Sequence, residues 1–318
     1  MARMIERRRV DDLSDLANLD CVARVHRAID HITLNLHAPL RLEAVAKVAC
    51  FSPYHFHRVF RAVVGETLRD FVERVRLERA LYLMSHGARP KLTDVAIACG
   101  FRSSSSFSRS FRARFGVAPR AFDLDAFRQR GKDEMLASLP VAGKRVTLAE
   151  GANPDGFAVR LRSLPARRVF YQRVLWPFEG DRVPRAAARF LAWARERGLE
   201  GGQWLGYQWE EPEIVPLHRC RYDVALEVPA TAVASEGVGE TRFAKMVVAE
   251  LDILGPIDLE MRALDWLYGT WLPRSGFVPD HQPVFEAWIG EPFAHGHEHF
   301  TLRLQLPVVK GARARRAR

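Results

Sequence analysis

The chain has 318 residues, 48% of them hydrophobic and 27% charged, with a formal net charge of +10. That length supports two domains with real cores, and no apolar run approaches the ~20 residues of a membrane span. The cysteines Cys21, Cys50, Cys99 and Cys220 lie far apart with no CxxC pair. This disfavours a disulfide or zinc framework and fits reduced structural thiols in a cytoplasm.

In chain order, residues 1–20 read as a flexible arm or short helix of mixed charge. The first twelve have no apolar segment behind them, so no secretory signal is expected. Cys21–His37 reads as a helix with Val22, Val25, Ile29, Ile32 and Leu36 on one stripe. Its His26, His31 and His37 share no face that would suit a metal. Leu42–Gly65 reads as two short helices around a turn. Ser52 is placed to cap the second, and Pro53 sits at its first position, where a missing N–H costs nothing. Thr67–Ser85 reads as one long amphipathic helix. Leu92–Arg120 repeats the pair: Thr93-Asp94 as a helix start, Gly100 at the turn, one of Ser103–Ser106 as a cap. Gly116 ends the second helix and Pro119 blocks its resumption.

The two units match residue by residue. Leu42, Val45 and Ala46 correspond to Leu92, Val95 and Ala96. After a one-residue insertion in the later turn, Phe56, Arg58, Phe60, Arg61 and Gly65 correspond to Phe107, Arg109, Phe111, Arg112 and Gly116. Cys50 and Cys99 are expected at equivalent, buried turn positions. Each unit has the form of a helix-turn-helix whose second helix can lie in a DNA major groove. Charge agrees: residues 21–120 hold 17 Lys/Arg against 7 Asp/Glu, whereas residues 201–300 hold 6 against 16. The basic excess therefore sits where phosphate contact needs it. The later region would repel DNA and suits a different, cationic partner. The basic tail from 311 to 318 reads as a solvated extension.

The stretch from Cys21 to Phe122 resembles the AraC/XylS class of bacterial transcription regulators. The carriers are Ser52-Pro53-Tyr54-His55-Phe56, Arg76-Leu77-Glu78-Arg79-Ala80, and Val95-Ala96 through Cys99-Gly100-Phe101, Ser106-Phe107-Ser108-Arg109 and Phe115-Gly116-Val117 to Pro119. The ending Pro119-Arg120-Ala121-Phe122 departs slightly from that pattern. The resemblance implies base contacts from Tyr54, His57 and Arg58 in the first reading helix and from Ser104, Ser105, Ser106 and Arg109 in the second. Arg can grip guanine O6/N7 in a bidentate way. Arg61, Arg112 and Lys47 are expected on phosphate. Double-stranded DNA and RNA polymerase are the implied partners, activation the implied direction, and the nucleoid within the cytoplasm the expected location.

Residues 123–155 read as a linker, with Asp123–Arg130 extending the last helix. Beyond it, Val159–Leu164 and Arg167–Val174 alternate as strands, Pro184–Arg197 as a helix, and Trp204–Trp209 and Tyr222–Val228 as strands. The order then repeats: strand Arg242–Leu251, helix Ile257–Tyr268, strands Val284–Ile289 and His299–Leu306. The fold class expected is therefore multidomain. An all-α N-terminal domain with two helix-turn-helix motifs precedes an α+β C-terminal domain of duplicated β-α-β-β units. The duplicated units would join as one antiparallel sheet with both helices on one face and a groove on the other.

This half, residues 156–310, resembles the GyrI-like (SOUL-related) effector-binding domains. The carriers are Tyr222-Asp223-Val224-Ala225-Leu226-Glu227-Val228-Pro229, Pro283-Val284-Phe285-Glu286-Ala287-Trp288 and Leu306-Pro307-Val308. The domain order, reader first, resembles that of the Rob regulator. All seven tryptophans lie in this half. Trp209 and Trp288 are read as equivalent strand positions, and Glu286 shares the face of Trp288. The resemblance gives a central acidic residue, assigned to Glu286, with Tyr207, Trp209 and Trp288 as pocket candidates. A carboxylate among aromatic faces suits an organic cation. His295, His297 and His299 alternate, but at a glycine-bearing turn without a fourth ligand, so no metal is assigned. No cofactor and no catalytic residue is assigned. The competing reading is a hydrolase of electrophilic small molecules that uses Glu286 with Tyr207. A third is a nucleoid protein without an effector.

Overall fold

The structure is a computed structural model and describes residues 16–86, 90–139, 147–149, 151–235 and 237–311. The expectations for residues 1–15 and for the tail from 312 fall outside these. Among the described residues, no helix is long and apolar enough to cross a membrane. Two compact units result. The first is dominated by residues before Leu81 together with Lys91–Phe122, and the second by Asp123–Ala232 and the chain beyond Thr241.

The first unit is helical: α1 (Leu16–Leu34), α2 (Leu42–Val48), α3 (Pro53–Val64), α4 (Leu68–His86), α5 (Leu92–Ala98) and α6 (Ser104–Phe115). Val25, Ile29, Ile32, Val45, Phe56, Phe60 and Phe71 form one buried cluster. In the second pair, Phe107 and Phe111 are fully buried, and Phe101 packs on Phe107 with centroids 5.3 Å apart. Ser52 caps α3 by accepting from the His55 N–H at 3.3 Å, and Gly65 and Gly116 end α3 and α6 in the left-handed conformation. The cap of α6 is Ser103. The start of α5 is Leu92 after an extended Lys91, so Thr93 and Asp94 lie inside the helix. Phe122, in the departing end of the motif, packs on Phe111 and Phe115.

The turns correct one expectation. Cys50 N–H bonds Lys47 O as Gly100 N–H bonds Ile97 O, and Phe51 N–H bonds Ala46 O as Phe101 N–H bonds Ala96 O. Cys50 is thus the counterpart of Gly100, not of Cys99, whose counterpart is Ala49. Cys50 is exposed and takes φ 53°, the left-handed conformation that Gly100 takes at φ 80°. Cys99 is buried, which pushes its thiol pKa up to about 12. The insertion falls after this turn, so the offset of fifty persists through it.

The expected linker holds a separate helix, α7 (Leu124–Ser138), capped by Asp123 accepting from the Ala126 N–H at 3.0 Å. It belongs to the second unit, where Arg128 pairs with Glu213 and Lys132 with Asp265. Gly131 lets it approach: a Cβ there would stand 2.3 Å from the Glu213 carbonyl oxygen. Residues 140–146 and 150 of the expected linker lie outside the described residues.

The second unit is one antiparallel sheet. Its strands are β1 (Arg160–Leu164), β2 (Arg167–Leu175), β3 (Trp204–Gln208), β4 (Arg221–Glu227), β5 (Gly239–Phe243), β6 (Met246–Gly255), β7 (Phe277–Pro279), β8 (Val284–Trp288) and β9 (Phe300–Lys310). The order is β1-β6-β9-β8-β3-β4-β2-β5, with β7 on β9. Helix α8 (Arg182–Arg195) lies between β2 and β3 in the chain, and α9 (Ile257–Trp266) between β6 and β8. The duplication is therefore visible as two halves, β2-α8-β3-β4 and β6-α9-β8-β9, that meet where β3 pairs β8. The single strand expected over Arg242–Leu251 breaks at Ala244-Lys245 into β5, beside β2, and β6 in the other half. The helix expected to run to Tyr268 ends at Trp266 and passes into a π-turn, Leu267–Trp271.

Both helices lie on one face. Phe190 and Trp193 of α8 meet Trp204 and Phe170, and Glu260 of α9 faces Glu286 electrostatically. By strand alternation and register, Phe170, Trp204, Gly206, Tyr222, Val224, Glu286, Trp288 and Leu304 share that face. The other face is not an open groove. It is filled by Val169, Tyr171, Leu205, Tyr207, Phe243, Met246, Val248 and Phe285.

Candidate DNA interface and effector site

Helices α3 and α6 each bury two phenylalanines, four positions apart, and turn the opposite stripe to solvent. On α3, Tyr54 is 76% exposed, and His57, Arg58 and Arg61 are exposed as well. The Arg58 guanidinium lies 5.9 Å from the Tyr54 ring centroid. On α6, Ser105, Arg109 and Arg112 are exposed, while Ser104 and Ser106 are half-buried. Ser106 is occupied by its own helix. Its hydroxyl accepts from the Ser103 N–H at 3.2 Å and donates to Ser103 O at 2.8 Å, completing a capping box. The Ser106 hydroxyl is therefore less free for a contact outside its helix than that of the exposed Ser105. Two exposed residues were missed, His55 on α3 and Arg102 in the turn before α6. The insertion that brings Arg102 into this turn was the available signal.

The two heads are held against the rest of the first unit by arginines. Arg24 donates from Nε to Ala49 O at 2.9 Å and also bonds Cys50 O. Arg76 donates to Leu36 O and Ala38 O, each at 3.0 Å. Gly100 fits beneath Arg76: a Cβ there would stand 2.2 Å from Leu36 O and 2.8 Å from Arg76 Nη2. The Arg76 of the family-like motif is thus a structural clamp.

In the second unit the acidic residue singled out from sequence lies at the seam of the two halves. Glu286 on β8 pairs in register with Gly206 on β3. The Tyr222 hydroxyl, from β4, donates to Glu286 Oε2. It reaches across because Gly206 has no side chain: a Cβ there would stand 1.8 Å from the Tyr222 oxygen and 2.6 Å from Glu286 Oε2. Trp288, buried on the same face, lies close enough to favour the ionised form of Tyr222. Phe293 closes the group, its ring 4.6 Å from Trp288 and 6.3 Å from Tyr222 by centroids, on a backbone held at φ 55°. A left-handed phenylalanine is strained, and such strain concentrates at functional sites.

Glu286 keeps some exposure, yet burial pushes its carboxyl pKa up to about 7, against the lowering effect of the Tyr222 hydrogen bond. Glu260, 4% exposed on α9, is pushed well up by burial and by the charge of Glu286. Tyr222 is raised by burial and then by Glu286. Buried carboxylates without a cation beside them are costly in the ionised form.

Of the four effector residues singled out from sequence, Glu286 and Trp288 come together; Tyr207 and Trp209 do not join them. Tyr207 is 1% exposed on the opposite face, 5.3 Å from Phe243 and 5.6 Å from Phe285 by centroids. Trp209 lies past the end of β3 and stacks on Phe243 at 6.2 Å. Its supposed equivalence to Trp288, 79 positions on, is one residue out of step with the 78 that relates Leu226 to Leu304, and a one-residue slip exchanges sheet faces. The hydrolase reading's pair, Glu286 with Tyr207, is separated by the sheet. The phenol beside Glu286 is that of Tyr222, which the sequence offered only as part of a family motif. Of the three histidines, His295 and His299 face each other at 6.1 Å between ring centroids, and His297 packs on Phe293.

Comparison with known proteins covers both units. A model described as a helix-turn-helix domain matches residues 45–124, and one described as a GyrI-like small molecule binding domain matches residues 157–309. The chain is 32% identical over 160 residues to a DNA gyrase inhibitor of Edwardsiella piscicida, covering 48% of this chain and 98% of that protein. It is 33% identical over 100 residues to the regulatory protein SoxS of Escherichia coli K12, covering 31% of this chain and 86% of that protein. An AraC-type transcriptional regulator structure from Chromobacterium violaceum aligns at 26% identity over 30% of this chain and 86% of that one, with a TM-score of 0.29. The chain belongs to the AraC-type DNA-binding transcription regulators and carries a GyrI-like small-molecule binding domain after its paired helix-turn-helix motifs.

Proposed function

We propose that the chain is a sequence-specific promoter-binding activator of the nucleoid that works with RNA polymerase and is governed by an organic cation held in its second unit. Arg58 and Arg109 read base edges from equivalent positions on α3 and α6. Tyr54, His57, Ser104 and Ser105 refine the reading, Ser106 contributes through the helix cap, and Arg61 and Arg112 hold phosphate. Glu286 supplies charge to the effector, and Trp288, Tyr222 and Phe293 supply aromatic surface.

The observation that carries this reading is the repetition of an exposed arginine at the same helical position in both heads, above buried phenylalanines. The test is a DNA pull-down with the full chain at fixed physiological salt, repeated with Arg58→Ala and Arg109→Ala. Discrete sites with two half-elements about one helical turn apart are expected. Each substitution should cost about 1–3 kcal/mol at its own half-element. Diffuse binding that ignores both arginines would overturn the operator reading.

A further inference from the structure

The effector reading rests on one carboxylate, but the site contains two. Glu286 comes from β8 and Glu260 from α9, so one half of the duplicated domain supplies both acids. The other half supplies Gly206 and the Tyr222 hydroxyl that holds Glu286 in place. Glu286 acts on Glu260 and the Tyr222 hydroxyl holds Glu286; among the described residues no ammonium, guanidinium or imidazole is paired with either acid. The strands beside them present hydrocarbon to this face, Leu302 and Leu304 from β9 and Leu251 from β6. Asp258, earlier on α9, is also buried, but its charge acts on Arg262. Two buried acids in hydrocarbon and aromatic surroundings, with no cation of the chain's own, have one inexpensive way to ionise together: a ligand that brings the counter-charge.

We propose that Glu260 and Glu286 form a two-carboxylate receptor for an organic dication, with Glu286 holding one cationic centre and Glu260 selecting for the second. The proposal rests on the cation-receptor reading of Glu286. The sign of its pH dependence follows from linkage. A cation binds the ionised acid and therefore competes with its proton, so affinity rises with pH below the acid's folded-state pKa and levels off above it. A monocation satisfied by Glu286 gains affinity up to about pH 7 and then levels. A dication has a second proton to displace, from Glu260, whose carboxyl is held well above the usual range by burial and by the charge of Glu286, so its affinity climbs more steeply with pH than the monocation's.

The experiment compares benzyltrimethylammonium with p-xylylene-bis(trimethylammonium), which share a ring and differ in one charge. Calorimetry on the full chain runs from pH 6 to 9, in two buffers of different ionisation heat so that released protons are counted. The dication should bind roughly tenfold or more tighter at pH 8.5, from a second contact to a buried charge, and should release more protons than the monocation. Glu260→Gln, the isostere of the protonated acid, should abolish both the preference and the extra proton release. Equal affinity with equal proton release in the unsubstituted chain, or a preference that survives Glu260→Gln, overturns the two-carboxylate proposal while leaving a cation site at Glu286. Failure of both probes to bind overturns the cation-receptor reading with it. The proton count on the unsubstituted chain decides the matter even if the variant does not fold.

Discussion

Gly206→Ala is the sharpest test of the site's geometry. Gly206 lies inside β3 with an ordinary strand φ, so alanine meets no backbone strain there; what it meets is the Tyr222 oxygen at 1.8 Å and Glu286 Oε2 at 2.6 Å. Tyr222 cannot swing aside cheaply, because its ring is buried and packed against Phe293. Overpacking of this kind costs about 1–3 kcal/mol. The displaced hydrogen bond to a carboxylate is worth about 1.5–3 kcal/mol more. Together, roughly 3–5 kcal/mol should be lost, which lowers the melting temperature of a unit this size by about 6–20 °C. The assay is tryptophan fluorescence during heating, which reports on the second unit because all seven tryptophans lie in the chain from Trp176 onward. Gly201→Ala, with nothing within 4 Å of the added methyl, is the control and should melt as the unsubstituted chain does. Tyr222→Phe in the Gly206→Ala background removes the clashing oxygen and should restore part of the loss. Melting of Gly206→Ala within about 1 °C of the control would mean that the phenol and carboxylate do not fill the space opposite Gly206.

Two further substitutions test the scaffolds. Gly100→Ala and Gly116→Ala both place a side chain at φ 80°, but the Gly116 methyl meets nothing, whereas the Gly100 methyl meets a backbone carbonyl at 2.2 Å. Helix content measured by circular dichroism on heating should fall by about 1–2 kcal/mol for Gly116→Ala and by at least about twice that for Gly100→Ala; equal losses would refute the close approach to Leu36. Lys132→Ala leaves the half-buried Asp265 with the Leu148 N–H, at 2.9 Å, as its remaining hydrogen-bond donor among the described residues. It should cost about 3 kcal/mol and speed amide exchange over 124–138, and unchanged protection there would show that the pair does not hold α7.

The reading heads were legible because their determinants are local. A serine cap, a left-handed glycine and phenylalanines four apart are decided within a dozen residues, and the repeat doubled each signal. The error over Cys50 was one of alignment: pairing it with Cys99 takes an offset of 49, whereas the preceding helix and the hydrogen bonds of the turn keep it at fifty. The sheet was harder. Strand positions were recovered, but which face a residue takes depends on parity, and a one-residue slip inverts the answer. Trp209 and Tyr207 were lost that way. The helix α7 was hidden because its signal is weak along its own length; its partners, Glu213 and Asp265, lie 85 and 133 positions away.

Tyr222 and Glu260 were illegible for a related reason: neither has meaning except relative to Glu286, and the Tyr222 contact crosses the seam of the duplication. The β3–β8 pairing relates the two halves, so a symmetric sequence would set like residues near one another there. Two carboxylates directly opposite would repel, and two bulky residues would leave no room for a phenol. The chain instead carries glycine at 206, whose missing side chain leaves room for the Tyr222 hydroxyl, opposite the carboxylate of Glu286. Neither half holds the site alone: the acids come from the second half, the space and the orienting hydroxyl from the first. That close fit is why a single methyl at Gly206 should do more damage than most substitutions on the surface of either half.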